Sequence, residues 1–194
     1  MIFDPSQLQY RTPFSTLING QAGQGVVFLA TMLATAAASA GKKVAQTTCS
    51  SAAVRSGSSI AHVIMSDTFI DFPYIEEKPD ALIALCPPPS PFSADAKQPI
   101  NDNGVIVFDA SLIEKTTFDP EIAIPIETSP MNSVTTIGPA NMMLLGAFVQ
   151  LTAIFPLQLL CEIVERHPKS NGRSDRRNVE KGAKLAQLAM EQRR

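Results

Sequence analysis

Apolar residues along this chain fall into short continuous runs and two long uncharged stretches, and glycine, proline and small polar residues punctuate them. After an irregular arm ending at Pro13, Phe14 to Ile18 has the length and composition of a first strand. From Gln24 to about Ala40 the chain is alanine-rich with Val26, Val27, Leu29, Met32 and Leu33, and Gly41 stands where a helix C-terminal cap belongs. Lys43 to Thr48 reads as a second strand, so the opening predicts a right-handed strand–helix–strand unit.

Further strands are predicted over Ile60 to Ser66, Asp80 to Leu85 and Gly104 to Asp109. The second of these is apolar without alternation, as in a strand buried on both faces. Glu121 to Ile126 is a strand that Pro125 assigns to an edge, because proline donates no ladder hydrogen bond. Pro139 to Phe155 is a second uncharged helix, Pro156 to His167 a short amphipathic one, and Asn178 is the expected cap of a final helix reaching about Met190. A helix with no charge on any side must be covered on more than one, by the fold or by another subunit. Strands followed by helices in this order predict an α/β protein with a three-layer α/β/α arrangement, a mostly parallel sheet and a Rossmann-like start, as a single domain over residues 1–194.

Composition narrows the partners. With 45% hydrophobic residues in 194, the chain can build a full core. A net charge of -2 gives no electrostatic footprint for nucleic acid or an anionic membrane, whose binding needs clustered cations, so neither partner is expected. Cys49, Cys86 and Cys161 form no CxxC pair, so no iron–sulfur cluster or structural zinc is expected on this chain alone. Sparse cysteines, and a start lacking the cationic head and apolar core of an export signal, give the cytoplasm as the expected location.

Candidate chemistry concentrates in Gly20-Gln21-Ala22-Gly23-Gln24-Gly25, between the first strand and the first helix. Gly20, Gly23 and Gly25 permit positive φ and close backbone approach, and the helix behind them points unpaired N–H groups out of the turn. Gln24 lies inside this cradle. Gly20-x-Ala22-x-x-Gly25 approximates a dinucleotide fingerprint, yet the second strand ends in Thr47-Thr48 and not in the acidic residue that would hold a ribose. No Gly-Lys-Ser/Thr of a P-loop follows. A plain strand-to-helix turn without ligand stays open as the alternative.

Arg55, the only Lys or Arg between Lys43 and Lys78, lies in a segment of small residues ahead of Gly57, where a guanidinium could reach a phosphate or carboxylate or simply be solvated. His62 alternates with apolar neighbours as a core or edge residue, and His167 lies at a helix end. Neither belongs to a Ser-His-Asp or HExxH pattern. Met131, Met142 and Met143 read as core fill, and Lys169, Arg173, Asp175, Arg176 and Arg177 as a solvated loop. Asn141 opens an otherwise apolar helix and has an amide to turn toward a neighbour.

These stretches together resemble the gamma subunit of the 2-oxoacid:acceptor (ferredoxin) oxidoreductases, the unit that also forms one domain of single-chain pyruvate:ferredoxin oxidoreductase. The family's GxGGQG turn and Val-rich helix correspond to Gly20 through Val27, with alanine at the third position. Its Arg-Gly-Gly loop before a strand ending in Ser-Asp corresponds to Arg55-Ser56-Gly57 and Ser66-Asp67, and its Pro-Asp-x-Leu-Ile-Ala-Leu strand to Pro79 through Leu85. Asn141-Met142-Met143-Leu144-Leu145-Gly146-Ala147, and Asn178 with Gly182, complete the series in the family's order.

The resemblance implies a subunit without catalytic residues of its own. Its complex would oxidatively decarboxylate a 2-oxoacid, with thiamine diphosphate, Mg, 4Fe-4S clusters and coenzyme A carried mainly by alpha, beta and ferredoxin-like delta subunits, and with ferredoxin as acceptor. Gly20, Gly23, Gln24, Gly25, Arg55, Gly57 and Asn141 are then the candidate contacts to a partner chain or an anionic group. A stand-alone nucleotide- or phosphate-binding module is the alternative.

Overall fold

The computed structural model describes residues 12–50, 57–71, 78–87, 100–101, 104–128 and 139–193. In chain order these form β1 (Phe14–Gln21), α1 (Val26–Ser39), β2 (Lys43–Ser50), β3 (Ser58–Ser66), β4 (Ala81–Ala84), β5 (Val105–Asp109), β6 (Ala123–Ile126), α2 (Pro139–Thr152), α3 (Leu157–Arg166) and α4 (Arg173–Glu191). The six strands make one sheet in the order β2-β3-β1-β4-β5-β6. β1, β4, β5 and β6 pair in parallel, whereas β3 is antiparallel to both β1 and β2. All strands but β3 therefore share one direction, which gives the expected mostly parallel α/β sheet.

The opening unit needs a correction. β1 and β2 do run the same way, but they are not neighbours: β3 returns between them, with Ile18 opposite Ala61 on one side and Ala61 opposite Thr48 on the other. The α1 crossover overshoots one place in the sheet, and the antiparallel strand that fills it supplies partners to the backbone groups of both flanking strands. Pro125 lies in β6, at the sheet edge, as its missing N–H requires.

Strand alternation sorts the core into two layers. Phe14, Ile18, Ala61, Val63, Ile83, Val107 and Ile124 face one way and join residues from all four α-helices. Leu17, Leu82, Ala84, Ile106, Phe108 and Ala123 face the other way, under Ile100, Ile113 and Phe118. The sheet is thus the middle of three layers. Among the described residues the second outer layer is irregular chain with a 3-10 turn at Lys115–Thr117.

Gly41 does cap α1. It has φ 90°, its N–H donates to Ala38 O at 3.0 Å, and Lys42 N–H donates to Ala37 O at 3.1 Å, the Schellman pattern. α2 and α4 cross through glycines: a Cβ on Gly146 would enter the Val179 backbone, and one on Gly182 would enter the Met143 backbone. The backbones themselves are in contact there, which accounts for the late Asn178-to-Gly182 spacing as packing.

α4 starts earlier than Asn178, the expected cap, which lies inside the helix. The chain turns at Gly172, and Asp175, 4% exposed, accepts hydrogen bonds from Asn171 N–H at 2.8 Å and Ser170 Oγ–H at 2.9 Å. No side chain caps Gly172, but that carboxylate ties the preceding turn to the helix and its charge suits the first turn. The segment read as a solvated loop is therefore helical from Arg173. Arg176 bridges Glu165 at 2.7 Å and Glu180 at 2.9 Å, which lowers the Glu165 carboxyl below its ordinary range, first through the hydrogen bond from Arg176.

Candidate functional site

The winding of the sheet points to one edge. The connection from β1 to β2 runs over the face that holds α1, and the connection from β5 to β6 contributes Ile113, Phe118 and Ile122 to the opposite face. Connections that leave on opposite faces open a crevice at the carboxyl ends of the strands between them, here β1 and β4. The glycine turn stands at that point. Leu85, directly after β4, donates its N–H to Asn19 O at 2.9 Å and so closes the two strand ends together.

Within the turn the glycines do different work. Gly23 and Gly25 have φ of 91° and 78°, a region that residues with a Cβ rarely adopt. Gly20 is in the strand, but a Cβ there would sit 2.7 Å from Val26 Cγ2 and 2.9 Å from Gln24 Oε1. Space, not φ, demands glycine at Gly20.

Gln24 braces the turn. Its Oε1 accepts from Gln21 N–H at 2.7 Å, and its Nε2 donates to Leu85 O at 3.2 Å, so the side chain ties the turn to the end of β4. Gly57, with φ 60°, accepts at its carbonyl from Ala22 N–H at 2.7 Å. The second landmark thereby joins the first. Arg55, with Ser56, lies outside the described residues, as does Met131.

Asn141 completes the group from far along the chain. Its Oδ1 accepts from Met142 N–H at 2.7 Å, and its Nδ2 lies so close to Gly25 that a Cβ on that glycine would overlap it. The contact brings the first turns of α1 and α2 together. Neither first turn holds an acidic residue, and the Gly25 cap of α1 supplies no side-chain hydrogen bond. Two positive helix ends meeting without a carboxylate create a local excess of N–H donors and a field that favours negative charge.

Asn19 was not singled out by sequence reasoning. It is 3% exposed, its Nδ2 donates to Cys86 O at 3.3 Å, and its Oδ1 has no hydrogen-bond partner among the described residues. The signal was present: an amide directly after the apolar Leu17 and Ile18 and directly before the glycines. The Cys86 thiol beside it is pushed up in pKa by burial, so it is not primed as a nucleophile. His62 pairs with Leu17 and Thr47 across the sheet, and burial lowers its pKa. His167 packs its ring edge-on against Phe28 at 5.5 Å. Neither histidine is at the glycine turn. Among the described residues no three His, Cys, Asp or Glu side chains are placed to hold a metal, and no helix is long and apolar enough to cross a membrane.

Comparison with known proteins bears on this arrangement. Residues 15–192 match the family model for pyruvate ferredoxin/flavodoxin oxidoreductase. Among curated relatives, the 2-oxoglutarate synthase subunit KorC of Methanocaldococcus jannaschii is 30% identical over 177 residues, covering 87% of this chain and 91% of the relative. The gamma subunit of a keto/oxoacid ferredoxin oxidoreductase from Geobacter sulfurreducens has the same fold, with a TM-score of 0.69 at 23% identity over 90% of this chain and 99% of the other. The 2-oxoglutarate:ferredoxin oxidoreductase of Magnetococcus marinus, solved with 2-oxoglutarate, coenzyme A and succinyl-CoA, has a TM-score of 0.70 at 19% identity, over 92% of this chain and 32% of that longer one.

Proposed function

The chain belongs to the pyruvate ferredoxin/flavodoxin oxidoreductase family, and on that premise we propose that it is the gamma subunit of a complex that oxidatively decarboxylates a 2-oxoacid to an acyl-CoA. Thiamine diphosphate with its Mg ion, the 4Fe-4S clusters and the acceptor ferredoxin are engaged by alpha, beta and delta partners. Those cofactors supply the bond cleavage and electron transfer, and this chain shapes the surroundings in which they act. The kinship with a 2-oxoglutarate synthase subunit supports the reading. Its expected compartment is the cytoplasm.

Within the complex, the edge formed by Gly20, Gly23, Gln24, Gly25, Gly57 and Asn141, with Arg55 beside it in sequence, is one wall of a shared site. Gln24 and Gly20 hold the wall in shape, the backbone N–H groups of the paired helix ends and Asn141 Nδ2 face an anionic group, and Arg55 is the candidate cation for that group from its place in the sequence. A phosphate of coenzyme A or a carboxylate of a partner chain fits that chemistry. The observation that carries this assignment is the meeting of Gly25 and Asn141, which sets two positive helix ends side by side with no acidic residue in either first turn.

Arg55→Ala and Asn141→Ala test it in the assembled enzyme. Each should leave the chain folded and raise either the KM for coenzyme A or the dissociation constant for the partner subunits by about tenfold, the effect of losing one charge-assisted contact. Unchanged values of both quantities in both variants would sink the assignment.

A further inference from the structure

One face of α4 carries charge that the fold does not use. Arg173, Arg177, Lys181 and Lys184 are all exposed, and at helical spacing they fall within a stripe about 80° wide, with Leu188 continuing the same line. Nothing in the fold repays this pattern. Arg177 and Lys181 stand four residues apart, Lys181 and Lys184 three, and like charges at those spacings repel. Arg173 and Arg177 also lie in the first half of the helix, against the sign of its dipole.

Carboxylates near the stripe offset only part of its charge. Glu180, on the flank, is paired with Arg176 at 2.9 Å, and Glu191, which accepts from the neutral Gln187 at 3.3 Å, stands at the far end of the helix, seven residues beyond Lys184. Arg173 has one loose pair, to Glu165 at 3.7 Å. Arg177, Lys181 and Lys184 have no ion pair among the described residues. On its opposite side the helix is fully employed, with Val179, Gly182, Ala183 and Ala186 buried. The cations thus sit on a helix whose position is fixed, in a chain whose net charge is -2.

We propose that this ridge is a docking surface for an acidic face of a partner subunit. The inference rests on the reading of the chain as a subunit. Charge complementarity selects the partner's chemistry, and Leu188, 44% exposed at the end of the basic line, adds the apolar contact usual in protein interfaces. A polyanion such as nucleic acid fits less well, because the stripe is one helix face on a chain of negative net charge.

The test compares the wild-type chain with the triple variant Arg177→Glu, Lys181→Glu, Lys184→Glu, each co-expressed with the partner subunits, with subunit retention followed by sedimentation from about 50 to about 500 mM salt. The proposal expects the wild-type complex to weaken as salt rises, and the variant to bind its partner at least about tenfold more weakly at low salt with a flatter salt dependence. Thermal melting of the variant alone should change little, since the three positions are exposed and glutamates at these spacings repel one another about as the cations did. Equal affinity and equal salt dependence would leave the ridge a solvated helix face and overturn the proposal while the subunit reading stands. Retention of duplex DNA by the wild-type chain and not by the variant would also overturn it. A wild-type chain that assembles with no partner removes the subunit reading and this proposal together.

Discussion

Gly25 and Asn141 interlock: the glycine at the head of α1 leaves the space that the Asn141 amide, from the head of α2, occupies. One residue is needed for both its φ of 78° and its missing Cβ. The pair makes the glycine turn a tertiary contact between two helices and not a local loop. Gly25→Ala should therefore destabilise the protein by about 2 kcal/mol or more, from left-handed strain and from overlap with the amide. Adding Asn141→Ala should relieve the overlap alone. Denaturant titration of the four members of this cycle checks it, with a coupling of about 1 kcal/mol expected and additive effects contradicting the contact.

Gln24→Leu should loosen the turn without unfolding the core. It keeps the size of the side chain but takes the partner from the exposed Gln21 N–H and the part-buried Leu85 O, at about 0.5–1.5 kcal/mol. Hydrogen exchange at the Gln21 amide should accelerate by at least about tenfold, whereas an unchanged rate would show that Gln24 does not brace the turn.

Gly182→Ala, in contrast, acts on the whole fold. Its added methyl would enter the Met143 backbone where α2 and α4 touch, and neither main chain can yield as a flexible side chain would. A loss of about 3 kcal/mol or more is expected. The melting temperature reads this directly, and a shift of only a degree or two would mean that the helices are further apart than described.

Acid should weaken the fold through His62. Burial lowers its folded pKa, so the unfolded chain binds a proton more readily than the folded one. Stability is full above the ordinary imidazole pKa and declines as pH falls through that value toward the lowered one. His62→Gln should flatten this part of the stability–pH curve, measured by denaturant unfolding at a series of pH values. A wild-type curve already flat there contradicts the burial.

The strands were legible because their burial is simple. Ala81–Ala84 and Val105–Asp109 are apolar on both faces, and a continuous run says so. The place of β3 was not, since Ile60 to Ser66 carries alternation but no mark of direction, and only the register against Phe14–Gln21 makes it antiparallel. The start of α4 was obscured by its own cations, which oppose a helix N-terminus, although Asp175 behind Ser170 and Asn171 supplied the acidic first-turn residue that favours one. At the site, Gly25 and Asn141 were each visible as residue types, but their meeting depends on the sheet that carries α1 and α2 to one edge. The role of Gln24 depends on Leu85, far away in sequence, and no local pattern announces that bond.

If this chain is a required subunit of a 2-oxoacid:acceptor oxidoreductase, its partners cannot turn over without it. The direct measurement is 2-oxoacid- and coenzyme A-dependent reduction of a low-potential acceptor by the partner subunits, purified with and without this chain, and by this chain alone. Turnover is expected only in the complete assembly, restored when the missing chain is added back. Full turnover by the partners without it, or oxoacid oxidation by the isolated chain, would contradict the claim.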